Sequence, residues 1–241
     1  MSCRASISFA QALYLNNEGV DALQRGHKYE AIDLMNHSVK MIKKELSSPP
    51  PVDLSMVAVL EGLCPSKVAL DVDIVEIPCT FSSPEAETVA IFKRALKLSP
   101  FLPTFLDDQS TSLMAAVVIF NLALAHHVQQ QGPTACLIDQ KLSSEKAAAL
   151  YELALTLIEN EVTFNVHTAR VVMLVNLAGM NNLLNLRVTY GGDDLARTVL
   201  NRLSSFLREY NSCLHATEIE LQEILLNMFF LQSSSKAAAA A

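Results

Sequence analysis

"LNNEGVDALQRGHKYEAIDLMNHSVKMI", Leu15 to Ile42, holds two helical patterns separated by a break. Apolar or small residues fall at Leu15, Ala22 and Leu23, then at Ala31, Ile32, Met35, Val39 and Ile42, which is the spacing of one buried face on each of two helices. Gly26 to Lys28 interrupts the pattern, and Gly19 and Ala31, twelve positions apart, place a small residue on either side of it. Antiparallel helices approach closely where side chains are small, and a larger residue there costs roughly 1 to 3 kcal/mol. The stretch therefore predicts a helical hairpin with Gly19 and Ala31 in contact.

Working outward, the helical pattern extends from about Ile7 to Leu46, where "SSPPPVD" stops it because proline cannot continue a helix. Next, "VALDVDIVEIP" alternates strictly, with Val68, Leu70, Val72 and Ile74 on one side and Asp71 and Asp73 on the other, as in a half-buried strand. "TVAIFKRALKL", Thr88 to Leu98, fits a helical face or a second strand. An isolated strand cannot satisfy its own backbone, so a β-hairpin is expected. Helical periodicity returns at about Thr111 to Gln131, Ser144 to Asn160, His167 to Val188 and Asp193 to Tyr210, with "GPTACLIDQKLS" read as a loop between the first two. The C-terminal region opens on a capping-box pattern, Thr217 to Glu220, and turns apolar from Ile224 to Leu231; the Ser/Ala tail after it offers almost nothing to bury.

An Asn-led triplet recurs: "NEG" at Asn17, "NLA" at Asn121 and "NLA" at Asn176, each ahead of a helical break and a second helix. Together with the small residues, this resembles the tetratricopeptide repeat, a helix-turn-helix unit with small residues where its two helices touch. Gly19, Ala31 and Ser38 match the small positions in a first repeat, with "GHKYEAI" at the turn. Ala123, Ala147 and Ala154 match in a second, with Tyr151 at the aromatic position and a twelve-residue insertion in the turn. Ala178, Ala196 and Leu203 match in a third, with six extra residues. The resemblance spans about Leu13 to Ile42, Ala116 to Ile158 and Val171 to Leu207. It implies stacked hairpins whose first helices line a concave groove.

The chemistry of catalysis leaves no pattern in this sequence. There is no GxSxG, phosphate loop, GxGxxG or CxxC, and only 7 glycines are present. His126 and His127 are adjacent, so on a helix they point about 100° apart and do not share one ion in the usual way. Asp71, Asp73 and Glu76 read as the solvated side of a strand rather than an acid pair. The family's peptide-carboxylate clamp joins Asn at the triplet position to cations on the first helices, and here those helices offer only Arg170, so Asn17, Asn121 and Asn176 are expected to hydrogen-bond within the helix packing. Five scattered cysteines, Cys3, Cys64, Cys79, Cys136 and Cys213, read as free thiols of a reducing compartment. A net charge of -7 with dispersed cations disfavours nucleic acid and anionic membrane as partners. The apolar run Leu113 to Ala125 is shorter than the roughly 18 to 20 residues of a membrane span and reads as a core helix.

The expectation is a mainly α fold of about three tetratricopeptide-like hairpins with an inserted β-hairpin near residues 66–99, in a single domain over residues 1–232 with a disordered tail over 233–241. The expected function is non-catalytic protein–protein interaction, as a cytoplasmic scaffold or adaptor using the groove, without cofactor or metal. An enzyme with an unrecognised site in the groove, or a structural subunit of an oligomer, is the alternative. The groove residues expected to meet a protein or peptide partner are Val20, Leu23, Phe120, Leu124, His127, Val172 and Val175, with Leu13 and Val117 on the same apolar face. Such a face needs a cover, and the hairpin or the "ILLNMFF" segment can supply it.

Overall fold

The computed structural model describes residues 3–47, 72–78, 91–99, 108–129, 137–159, 166–210 and 224. Along the chain these form α1 (Cys3–Gln24), α2 (Lys28–Leu46), β1 (Val72–Glu76), β2 (Arg94–Leu98), α3 (Asp108–Gln129), α4 (Leu137–Glu159), α5 (Val166–Leu186), a π-helical turn (Arg187–Gly191) and α6 (Asp193–Tyr210). The fold is mainly α with one small antiparallel sheet, as the periodicities predict.

Three helix pairs, α1 with α2, α3 with α4 and α5 with α6, stack through α2 against α3 and α4 against α5. The first hairpin shows why the sequence folds this way. Gly26 takes φ +82°, a left-handed conformation open to glycine, and the turn closes with Gly26 N–H on the Leu23 carbonyl at 3.0 Å and His27 N–H on the Ala22 carbonyl at 2.9 Å. These two bonds satisfy the last carbonyls of α1 and reverse the chain. A Cβ on Gly19 would stand 2.8 Å from Met35 Cγ and 3.3 Å from the Ala31 carbonyl oxygen, so the α1–α2 contact depends on the missing side chain. Ser38 is fully buried at the same seam and donates its hydroxyl to the Ala12 carbonyl at 2.7 Å. Ala123, Ala147, Ala154, Tyr151, Ala178 and Leu203 are likewise buried.

Two boundaries differ from the sequence reading. α4 begins at Leu137, so Leu137 to Ser143 is helix where a loop was expected. After Pro133 that stretch holds no breaker, and Asp139 sits in the first turn, where a carboxylate favours helix formation. Ile138 and Leu142 are exposed there, which hides the helix from a search for a buried face. The long apolar segments are also more extensive than the run Leu113 to Ala125 suggests: Thr111–Gln129 and Thr168–Gly191 are long and apolar enough, by length and composition alone, to cross a membrane, and in each an 18-residue stretch is 89% buried in this structure.

In the sheet, Val72 pairs with Leu98, Ile74 with Leu96 and Glu76 with Arg94, and the Ile77 N–H bond to the Lys93 carbonyl at 2.8 Å extends the ladder. Val72 is buried and Asp73 is exposed, as alternation requires, whereas Glu76, on the same face as Val72, is exposed at the end of the strand. The expected strand residues Val68, Leu70 and Asp71, the capping box at Thr217, Cys64, Cys79, Cys136, Cys213 and residues 233–241 lie outside the described residues. Of the segment Ile224 to Leu231 only Ile224 is described, and it is buried in the core.

Candidate functional site

β2 packs against α1 and α3, Phe92 just ahead of it reaches α5, and the backbone of residues 92–98 has two chemically different edges. In an antiparallel pair, residues alternate between exchanging hydrogen bonds with the partner strand and pointing them the other way. The Ile77–Lys93 bond fixes the phase, so Lys93, Ala95 and Lys97 face β1, whereas Phe92, Leu96 and Leu98 turn their N–H and C=O groups toward the helices. A helix has no free backbone on its side to receive them. Asparagine side chains do so instead.

Asn17 of α1 accepts the Leu98 N–H at 3.0 Å and donates to the Leu98 carbonyl at 2.7 Å. Asn121 of α3 accepts the Leu96 N–H at 2.9 Å and donates to its carbonyl at 2.7 Å. Asn182 of α5 accepts the Phe92 N–H at 2.7 Å and donates to its carbonyl at 3.1 Å. Each carboxamide thus performs the work of one residue of a neighbouring strand.

Further polar groups hold these amides in place. Asn121 also donates to Asn16 Oδ1 at 3.0 Å, and Asn181 donates to Asn182 Oδ1 at 3.3 Å. Asn182 donates to the Tyr151 hydroxyl at 3.0 Å, that hydroxyl lies 3.4 Å from His127 Nδ1, and His127 Nε2 lies 3.1 Å from Asn185 Oδ1. With Asn185 as acceptor, His127 carries its proton on Nε2 and offers Nδ1 to Tyr151. Burial lowers the His127 pKa to about 4, against the hydrogen bond that His127 donates to Asn185, which raises it, and with Lys93 lowering it further. Burial raises the Tyr151 pKa, opposed by its bond with Asn182. At neutral pH both groups are uncharged links in one buried chain from α3 through α4 and α5 to β2.

His126 is only half-buried, and its pKa is lowered by burial and by Lys146, partly offset by a hydrogen bond with Gln129. Among the described residues no group of His, Cys, Asp and Glu side chains could hold a metal ion. At the rim, Lys97 of β2 reaches Asp21 of α1 at 2.5 Å with both side chains about one-third exposed, and the Arg94 guanidinium lies over the Phe92 ring at 5.7 Å.

The groove residues picked out from the sequence are all buried. Val20, Leu23 and Leu124 share an apolar cluster with Ile77, Ile91 and Ala95 of the hairpin. Phe120, Val172 and Val175, with Leu13 and Val117, share the other with Phe92, Leu96 and Leu98. These residues are buried in clusters that the strand shares with the helices. His127 joins the polar chain rather than the apolar floor.

The asparagines require a correction. Asn176 does bond within its own helix, to the Val172 carbonyl at 2.9 Å, but Asn17 and Asn121 reach across to β2, because a buried strand edge is the stronger demand for a paired donor and acceptor. Asn182, which the triplet search missed, supplies the third grip. Its signal was available in "MNNLLNL", where polar amides interrupt an apolar helix and so must have buried partners. Comparison with protein-family models, with curated proteins and with solved structures gave no match.

Proposed function

We propose that the chain is a non-catalytic protein-interaction scaffold of the tetratricopeptide-like kind, working in the cytoplasm, whose groove takes an extended polypeptide segment by its main chain. The observation that carries this reading is the set of paired bonds from Asn17, Asn121 and Asn182 to Leu98, Leu96 and Phe92. Strand addition is a general mode of peptide recognition: main-chain bonds supply affinity and alternate side chains enter pockets. Here three helices together imitate a sheet edge, and the apolar floor between them receives side chains from the strand. In this arrangement β2 acts as a resident ligand, which keeps an apolar groove out of water until another segment replaces it.

Panning a library of displayed peptides against the full-length chain tests the reading. Enriched peptides that compete with a synthetic peptide of residues 91–99, and that lose binding to a chain carrying Asn121→Leu with its far-ultraviolet circular dichroism intact, are the expected outcome. No enrichment, or binding indifferent to Asn121, would sink it.

A further inference from the structure

We infer that the groove selects a basic extended segment with apolar side chains at positions n, n+4 and n+6, a small residue at n+3 and a cation at n+5. This rests on the reading of the groove as a main-chain receptor and adds which side chains it admits. The template is the resident strand, in which Phe92, Leu96 and Leu98 hold the apolar positions, Ala95 the small one and Lys97 the cationic one.

The three apolar positions follow from the grip itself. The residues whose main chain is held by Asn182, Asn121 and Asn17 are at most 1% exposed, so a polar side chain at any of them would be desolvated without a partner. The restriction at n+3 comes from the opposite face of the strand. Ala95 is 0% exposed in the cluster with Val20, Leu23 and Leu124, and a closely packed site resists added carbons. At n+5 the recognition is electrostatic. Lys97 projects to the rim and meets Asp21, where a carboxylate in that position would be repelled. Residues 91–99 hold Lys93, Arg94 and Lys97 and no acid, so the template is itself basic, and Asp21 is the carboxylate that meets it.

A visiting segment must displace a strand joined to the groove at both ends, whose effective concentration is on the order of millimolar. Weakening the resident strand is therefore the way to expose the specificity. In the full-length chain, Lys97→Glu sets like charges together at a partly exposed pair and leaves the apolar floor intact. The probe is a fluorescent peptide of sequence Ile91 to Ser99, and binding is followed by anisotropy after circular dichroism has shown that the variant keeps its helices.

The peptide is expected to bind the Lys97→Glu chain saturably and at least tenfold more tightly than the unaltered chain. Peptides carrying Lys97→Glu or Ala95→Leu should bind that chain at least tenfold more weakly than the native peptide. A chain carrying Asp21→Lys alone, in which the resident Lys97 meets a like charge, should reverse the charge preference and take the Lys97→Glu peptide in place of the native one. If native, charge-reversed and Ala95→Leu peptides all bind alike, the selectivity is overturned while the main-chain reading stands. If the native peptide saturates none of these folded chains, both fall.

Discussion

Replacing Asn121 by Leu, and comparing it with the same change at Asn176, isolates the strand grip from ordinary helix packing. The two asparagines occupy the same place in their triplets, and both are buried. Asn121→Leu leaves the Leu96 N–H and Asn16 Oδ1 without their partners in the core, and leaves the Leu96 carbonyl only the longer bond, 3.5 Å, from Asn16 Nδ2. Each orphaned buried group costs about 1 to 3 kcal/mol, so the two together cost about 2 to 6 kcal/mol. Burying the apolar leucine side chain returns about 1 to 2 kcal/mol. A net loss of about 3 kcal/mol follows. Asn176→Leu removes a bond to the Val172 carbonyl, which as part of α5 already accepts a bond from the main chain one turn on, so its loss stays within about 1 kcal/mol. Equilibrium urea unfolding measures both variants, and with the slopes typical of folded domains a 3 kcal/mol loss lowers the midpoint by about 1 M or more. Midpoints for Asn121→Leu and Asn176→Leu that agree within error would refute the assignment of Asn121 to the strand.

Other consequences can be checked with the same instruments. Ala31→Leu should destabilise by roughly 1 to 3 kcal/mol, because the seam at Gly19 and Met35 has no free volume, while the exposed Lys43→Ala changes stability by less than about 0.5 kcal/mol; equal melting temperatures would remove Ala31 from the contact. His127 has a folded pKa of about 4, below the ordinary value of 6.5, so the unfolded chain binds the extra proton between those limits and stability falls as pH drops through that window. The contribution is about 3 kcal/mol between pH 7 and pH 4, and His127→Leu should flatten the pH dependence of the urea midpoint by that amount; an unchanged profile contradicts it. Tyr151→Phe removes the hydroxyl between Asn182 and His127 and should cost about 1 to 2 kcal/mol, read as a lower urea midpoint. A neutral effect would mean that the link contributes nothing.

The parts of the fold that were legible in the sequence are those set by local rules. Gly26 and the two periodic faces around it give a hairpin because a left-handed glycine and two apolar stripes leave few other solutions. The alternation from Val68 to Ile74 predicts a strand, and a single strand demands a second, so "TVAIFKRALKL" could be read as its partner despite its helical spacing. The site was less legible because its meaning depends on distant pairs. Asn17 and Leu98 stand 81 positions apart and Asn182 and Phe92 stand 90 apart, and nothing local to an asparagine says whether its amide turns to its own helix or across a groove. Asn176 and Asn121 share the triplet "NLA" and do opposite things. The apolar groove was predictable from helix periodicity; that a strand of the same chain fills it follows from the register of β2, which no single element determines.

The way β2 is held also makes the groove respond differently to forces of different direction. Asn182, Asn121 and Asn17 grip Phe92, Leu96 and Leu98 in order along one line. Tension along the strand axis loads all of these bonds together, so they must fail as a set. Lifting the strand away from its Phe92 end loads one amide at a time, starting at α5 and reaching last the α1 end, where Leu98 is held by Asn17 and Lys97 is paired with Asp21. The same contact is a shear joint along its length and a zipper across it, and a partner that peels from the α5 side meets the smaller mechanical barrier.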